Sequence, residues 1–135
     1  MLECLILGDS IAVGTIQARP GCVEMAKGGI NSWQWNKQFS DRPALDGMEY
    51  KFVVISLGSN DHKGVNTEKE ILAIREKVIA KHVYWILPAI KPDVQAIVQK
   101  VAGRYGDTVL PIRTLSKDGV HPTGKGYKEI AETLK

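Results

Sequence analysis

Five short apolar runs alternate along this chain with stretches of helical periodicity, and this alternation limits the fold more than any other feature. The runs are Leu2 to Leu7, Cys22 to Ala26, Phe52 to Leu57, Val83 to Leu87 and Thr108 to Ile112. The first stops at Gly8, the second ahead of Gly28-Gly29, the third at Gly58 and the fourth at Pro88. A near-continuous apolar run of this length is the pattern of a strand covered on both faces. Phe52 to Leu57, rich in β-branched and aromatic residues, is the strongest of the five.

The segments between the runs read as helices. Ile11 to Ala18 forms a short one, ended by Arg19-Pro20-Gly21, and Asn31 to Phe39 forms a second with Asn31 or Ser32 as its cap. Thr67-Glu68-Lys69-Glu70 has the form of a capping box. It opens a helix with Ile71, Ile74 and Val78 on one face and Leu72 and Ile79 beside them. From about Pro92, Val94, Ile97, Val98 and Val101 recur at helical spacing, with Gly103 and Gly106 marking the end. A last helix follows Pro122, with Tyr127, Ile130, Ala131 and Leu134 on one face. Strict alternation with short connections predicts a single α/β domain over residues 1–135. Its architecture is a three-layer α/β/α sandwich around a five-stranded parallel sheet. Ser40 to Tyr50 is left as a surface loop.

A chain of 135 residues buries enough surface to fold without staples. Its net charge of +3 is spread out, with no basic run that would mark a nucleic-acid footprint. The first apolar run is too short for a signal-peptide core and Glu3 stands where one carries basic residues. No segment approaches the length of a membrane span. These features predict a cytoplasmic protein, and Cys4 and Cys22 are accordingly expected as two small buried thiols in a reducing compartment, with a disulfide between neighbouring strands as the lesser alternative. No Cys/His cluster has zinc-ligand spacing, so no metal is expected.

In an open parallel sheet, ligands bind outside the carboxyl ends of the strands. Ser10 follows the first run, Gly29 the second, Asn60 the third, and Asp118 and His121 the fifth. One edge of the sheet therefore gathers a hydroxyl nucleophile, an imidazole base, a carboxylate to orient it, and two donors for an oxyanion. Ser10 precedes a helix, whose free N–H groups and dipole favour negative charge. Asp118 lies three residues before His121, within reach of its ring. Of the other histidines, His82 at a helix end reads as structural, and His62 is placed to line the cleft. Trp33 and Trp35, just beyond the glycine pair, offer stacking faces for a sugar, or else simply pack in the core.

Gly8-Asp9-Ser10, Gly28-Gly29, Gly58-Ser59-Asn60-Asp61 and Asp118-Gly119-Val120-His121-Pro122 together resemble the sequence blocks of the SGNH/GDSL hydrolase superfamily, in that family's order and over nearly the whole chain. The tail His121 to Tyr127 is also similar, whereas Ile11 to Gly14 lacks the leucine of GDSL. The resemblance implies a sheet order of 2-1-3-4-5. It implies Ser10 as nucleophile, Asp118 and His121 as its triad partners, and Ser10, Gly29 and Asn60 as the oxyanion hole, with no cofactor. The expected activity is hydrolysis of short-chain acyl esters through an acyl-enzyme, with a carbohydrate O-acetyl ester as the favoured substrate. The rival expectations are a non-catalytic ligand-binding module on the same fold, and a lysophospholipase or thioesterase.

Overall fold

A computed structural model describes residues 1–135. The strands are β1 (Leu2–Gly8), β2 (Val23–Ala26), β3 (Glu49–Ser56), β4 (Ile79–Ile86) and β5 (Thr108–Leu110). The helices are α1 (Ser10–Ala18), α2 (Ser32–Phe39), α3 (Thr67–Lys77), α4 (Pro92–Tyr105) and α5 (Gly124–Thr133). All four strand pairings are parallel, in the order β2-β1-β3-β4-β5.

The strand period of two divides the apolar runs between two cores. Leu5, Leu7, Val53, Ile55, Val83 and Trp85 face α2, α3 and α4. Cys4, Ile6, Phe52, Val54, Tyr84 and Ile86 face α1 and α5. The three-layer sandwich follows from this division. Tyr127 of α5 lies against Gly14 of α1, where a Cβ would stand 2.2 Å from the ring. That contact draws the start of α5, and the loop before it, toward the start of α1.

Several local expectations need correction. β4 begins at Ile79, which the apolar spacing assigned to a helix; its partner is Glu49, and Ala80 pairs with Tyr50. The two strands therefore extend past their apolar runs, because backbone hydrogen bonding decides where a strand ends. The same pairing places Tyr50 in β3 and His82 within β4 rather than at a helix end. His82 Nε2 meets Thr108 Oγ1 at 2.7 Å. The Ser40 to Tyr50 stretch carries a 3-10 turn, Pro43–Leu45, whose Leu45 is buried. The cap of α3 is Asn66 and not Thr67, since the Asn66 side chain accepts from the Lys69 N–H and the Thr67 hydroxyl is engaged elsewhere.

The cysteines are also corrected. The β1–β2 register sets Leu5 against Val23, so Cys4 stands opposite Cys22 one position back. Their Cα atoms are 4.8 Å apart and the two form a disulfide. Register between strands separated by a helix is not written in local sequence, which is why the spacing alone left this bond open.

Candidate active site

The carboxyl ends of the strands carry the candidate residues. At the end of β1, Gly8 has φ of +139° and a Cβ there would lie 1.9 Å from the Ser56 carbonyl oxygen. Only glycine allows β1 and β3 to approach this closely. Asp9 follows as the cap of α1: its backbone N–H donates to the Ser56 carbonyl, and its Oδ1 accepts from the Ile11 N–H and the Ser56 hydroxyl. Ser10 is then the first residue of α1, at the positive end of the helix.

His121 reaches Ser10 from the loop between β5 and α5. That loop is a closed structure: the Ser116 N–H donates to the His121 carbonyl, the Thr123 N–H to the Thr114 carbonyl, and Leu115 bridges Pro122. Ser10 Oγ and His121 Nε2 are 2.7 Å apart across 111 residues of sequence. His121 Nδ1 and Asp118 Oδ2 are also 2.7 Å apart. Asp118 Oδ1 accepts three further bonds, from the Ser116 hydroxyl and the N–H groups of Val120 and His121. These donors, led by the His121 and Val120 amides, hold the Asp118 carboxyl well below the usual carboxylate range. A carboxylate only accepts, so the imidazole proton sits on Nδ1 and the Nε2 lone pair faces the serine hydroxyl. That is the arrangement in which imidazole can remove a proton from Ser10.

The second half of the site comes from β2 and β3. Gly29 takes φ of +77°, which favours glycine, and a Cβ on neighbouring Gly28 would stand 3.9 Å from the Ser10 Cβ. The Asn60 amide nitrogen donates to the Ile30 carbonyl at 3.0 Å, joining the β3–α3 loop to the glycine pair. Its second N–H has no partner in the protein, and neither does the N–H at the helix start contributed by Ser10.

Beside Asn60, the buried Asp61 carboxylate accepts from the Ser32 N–H at 2.9 Å, the Ser32 hydroxyl at 2.6 Å and the Thr67 hydroxyl at 2.7 Å. It thereby fastens the starts of α2 and α3 to one loop. Ser32 and Thr67 gave no signal as site residues, because they meet Asp61 only through the tertiary fold.

The three remaining candidates fare differently. Trp35 is fully buried, donates its indole N–H to the Met25 carbonyl and stacks on Phe39, so it is a core residue and offers no face to a sugar. Trp33 is half-exposed, but it opens onto a groove of about 350 Å³ between α2 and α3, with Asn36 and Lys69 also in the wall. Neither Ser10, Gly29, Asn60 nor His121 lines that groove. His62 is exposed, accepts from the Gly64 N–H and lines a cleft of about 610 Å³ with Lys63, Lys91 and Asp93. A second cleft of about 280 Å³ is walled by Gly28, Gly29, Lys27, Gln34 and Gln38.

No family model and no curated protein matches this sequence. Solved structures share its fold. A lipase/acylhydrolase from Enterococcus faecalis superposes with a TM-score of 0.70 at 16% identity, over 98% of this chain and 92% of that one. The catalytic domain of Streptococcus pneumoniae peptidoglycan O-acetyltransferase A, solved with a methylsulfonyl adduct, gives 0.63 at 20% identity, over 98% and 90%. Axe2, an acetylxylan esterase from Geobacillus stearothermophilus, gives 0.63 at 16% identity, over 97% and 91%.

Proposed function

The chain has the fold of the SGNH hydrolases, and from that premise we propose that it is a serine esterase acting on short-chain acyl esters. One observation carries the reading. Ser10, His121 and Asp118 stand in a relay of two 2.7 Å contacts, with the lone pair of the base facing the hydroxyl.

In this reading the Ser10 hydroxyl adds to the ester carbonyl and its proton passes to His121 Nε2. Asp118, held as a carboxylate, stabilises the resulting imidazolium. The oxyanion is received by the N–H groups of Ser10 and Gly29 and by the free amide N–H of Asn60. Collapse releases the alcohol, which takes the proton from His121, and leaves an acyl-Ser10. Water then attacks the acyl group with His121 again as base; collapse releases the carboxylic acid, and Ser10 Oγ takes the proton back from His121.

For the acyl group we favour acetyl, and for the alcohol a carbohydrate. The cleft beside Gly29 is walled by the polar residues Lys27, Gln34 and Gln38, which suits a hydroxylated leaving group better than a lipid chain. The names of two neighbours, an acetylxylan esterase and a peptidoglycan O-acetyltransferase, agree with acetyl chemistry on polysaccharides. The Cys4–Cys22 disulfide supports an oxidising compartment over the cytoplasm, where thiols are kept reduced.

The test is hydrolysis of a small activated acetyl ester and of an acetylated oligosaccharide. The wild type is expected to turn over both, and Ser10→Ala to lose about a thousandfold or more in kcat. A folded wild type that binds such a saccharide yet cleaves no ester would replace this reading with the non-catalytic binding module.

A further inference from the structure

We infer that Lys91 is a positioning residue for the oxyanion side of the site, an inference that rests on the esterase reading above. Lys91 is the only non-glycine residue with positive φ, at +64° with ψ of +82°. The conformation is costly for any side chain with a Cβ. It is less expected still before Pro92, since a residue preceding proline is pushed toward extended backbone. Nothing local repays that cost. Lys91 occupies the cap position of α4, yet its side chain makes no capping bond. Glycine would fill the same backbone with less strain.

The side chain explains the choice. From the β4–α4 loop the Lys91 ammonium crosses to the β3–α3 loop and donates to the backbone carbonyl of Asp61. No carboxylate lies within 4.0 Å of it, so the carbonyl is the group that holds it. Asp61 is thus gripped at both ends. Its carboxylate is fixed by Ser32 and Thr67, and its carbonyl by Lys91. Asn60 is the next residue back, and its amide must meet the developing oxyanion. Two loops from neighbouring strands are therefore tied together immediately behind one oxyanion donor. Lys91 bonds to neither Ser10 nor His121, and it acts through the Asp61 carbonyl, one residue beyond Asn60.

Two substitutions separate this role from a structural one. Lys91→Met keeps the aliphatic stem and removes the ammonium. Lys91→Gly removes the ammonium and also relaxes the backbone. Both are expected to lower kcat on a small acetyl ester about tenfold while KM stays within about twofold, as a displaced oxyanion donor should. Lys91→Gly should melt no lower than wild type, and Lys91→Arg should retain most of the activity. In an Asn60→Ala background, Lys91→Met should add little further loss. A nitrogen–proton correlation spectrum of Lys91→Met should show the Asn60 side-chain amide shifted or broadened, whether or not the protein turns over an ester. Unchanged kcat with unchanged Asn60 signals would overturn the inference, as would a loss confined to KM, fully additive losses, or activity that merely tracks melting temperature. A wild type without esterase activity would sink the enzymatic reading, and the Asn60 signals would then decide the positioning claim alone.

Discussion

Asp9 lies one residue before Ser10, fully buried, with its Oδ2 lacking any hydrogen-bond partner. Desolvation outweighs the bonds at Oδ1 and raises its pKa from 3.8 to about 6. The folded chain thus takes up a proton that the unfolded chain has already released between about pH 4 and 6. The contribution of Asp9 to stability is therefore most favourable below pH 4 and is lost as pH rises through 6, a change of about 3 kcal/mol in the limit. Asp9→Asn keeps the acceptor for the Ile11 amide and cannot titrate. Chemical denaturation of both proteins across this range should show the stability difference, wild type minus variant, falling with rising pH. A difference that stays flat would mean Asp9 remains ionised in the fold. At this scale the motif residues were legible because Ser10, Gly29, Asn60, Asp118 and His121 each follow a strand in a short chemical signature. Trp35 was not, since an aromatic on an amphipathic helix reads alike whether it faces the core or a cleft. Lys91 escaped notice because neither its φ nor its carbonyl partner has any trace in the local sequence.

Among the elements, β2 and β5 are the two short edge strands, and β2 matters to the glycine side of the site. It is a four-residue edge strand paired only with β1, yet the loop after it carries Gly29. The disulfide secures it near its start, closing a loop with a sequence separation of 18 residues. Loop-closure entropy puts the value of such a bond at about 3 kcal/mol. Replacing both cysteines by alanine should lower unfolding free energy by about that amount in denaturant titrations, with the variant still folded and cooperative. Two alkylatable thiols in the unreduced, denatured wild type, counted by mass spectrometry, would mean the pair is not joined in solution. The alternation of strands and helices was legible from apolar period alone, while strand ends were not. Ile79 and Tyr50 lie outside the apolar runs and become strand only because each finds a partner across β3 and β4. The disulfide depends in the same way on a register that only the assembled sheet defines.

For the molecule as a whole, five strands and five helices account for most of the 135 residues, and no helix is long and apolar enough to cross a membrane. The three-layer class followed from alternation. The order β2-β1-β3-β4-β5 did not, since many sheet orders satisfy the same alternation, and it rested on the family resemblance of the four motif blocks. The longest connection between elements, residues 111–123, is the closed loop that carries Asp118 and His121, so it is not free to build a lid or acyl tunnel. A groove for a long acyl chain would contribute about 0.8 kcal/mol per buried methylene. Without one, kcat/KM should be highest for acetyl and propionyl esters and should not climb toward octanoyl. A steady rise with chain length, in a series sharing one leaving group, would instead indicate a lipid substrate. Activation of the Ser10 hydroxyl by His121 can be read by covalent labelling. A fluorophosphonate probe is incubated with native protein and the modified residue is mapped by peptide mass spectrometry. Labelling is expected at Ser10, with none at the buried Ser59, loss of signal in Ser10→Ala and a sharp fall in His121→Ala. Folded wild-type protein that stays unlabelled, or that is labelled equally well without His121, would contradict that activation.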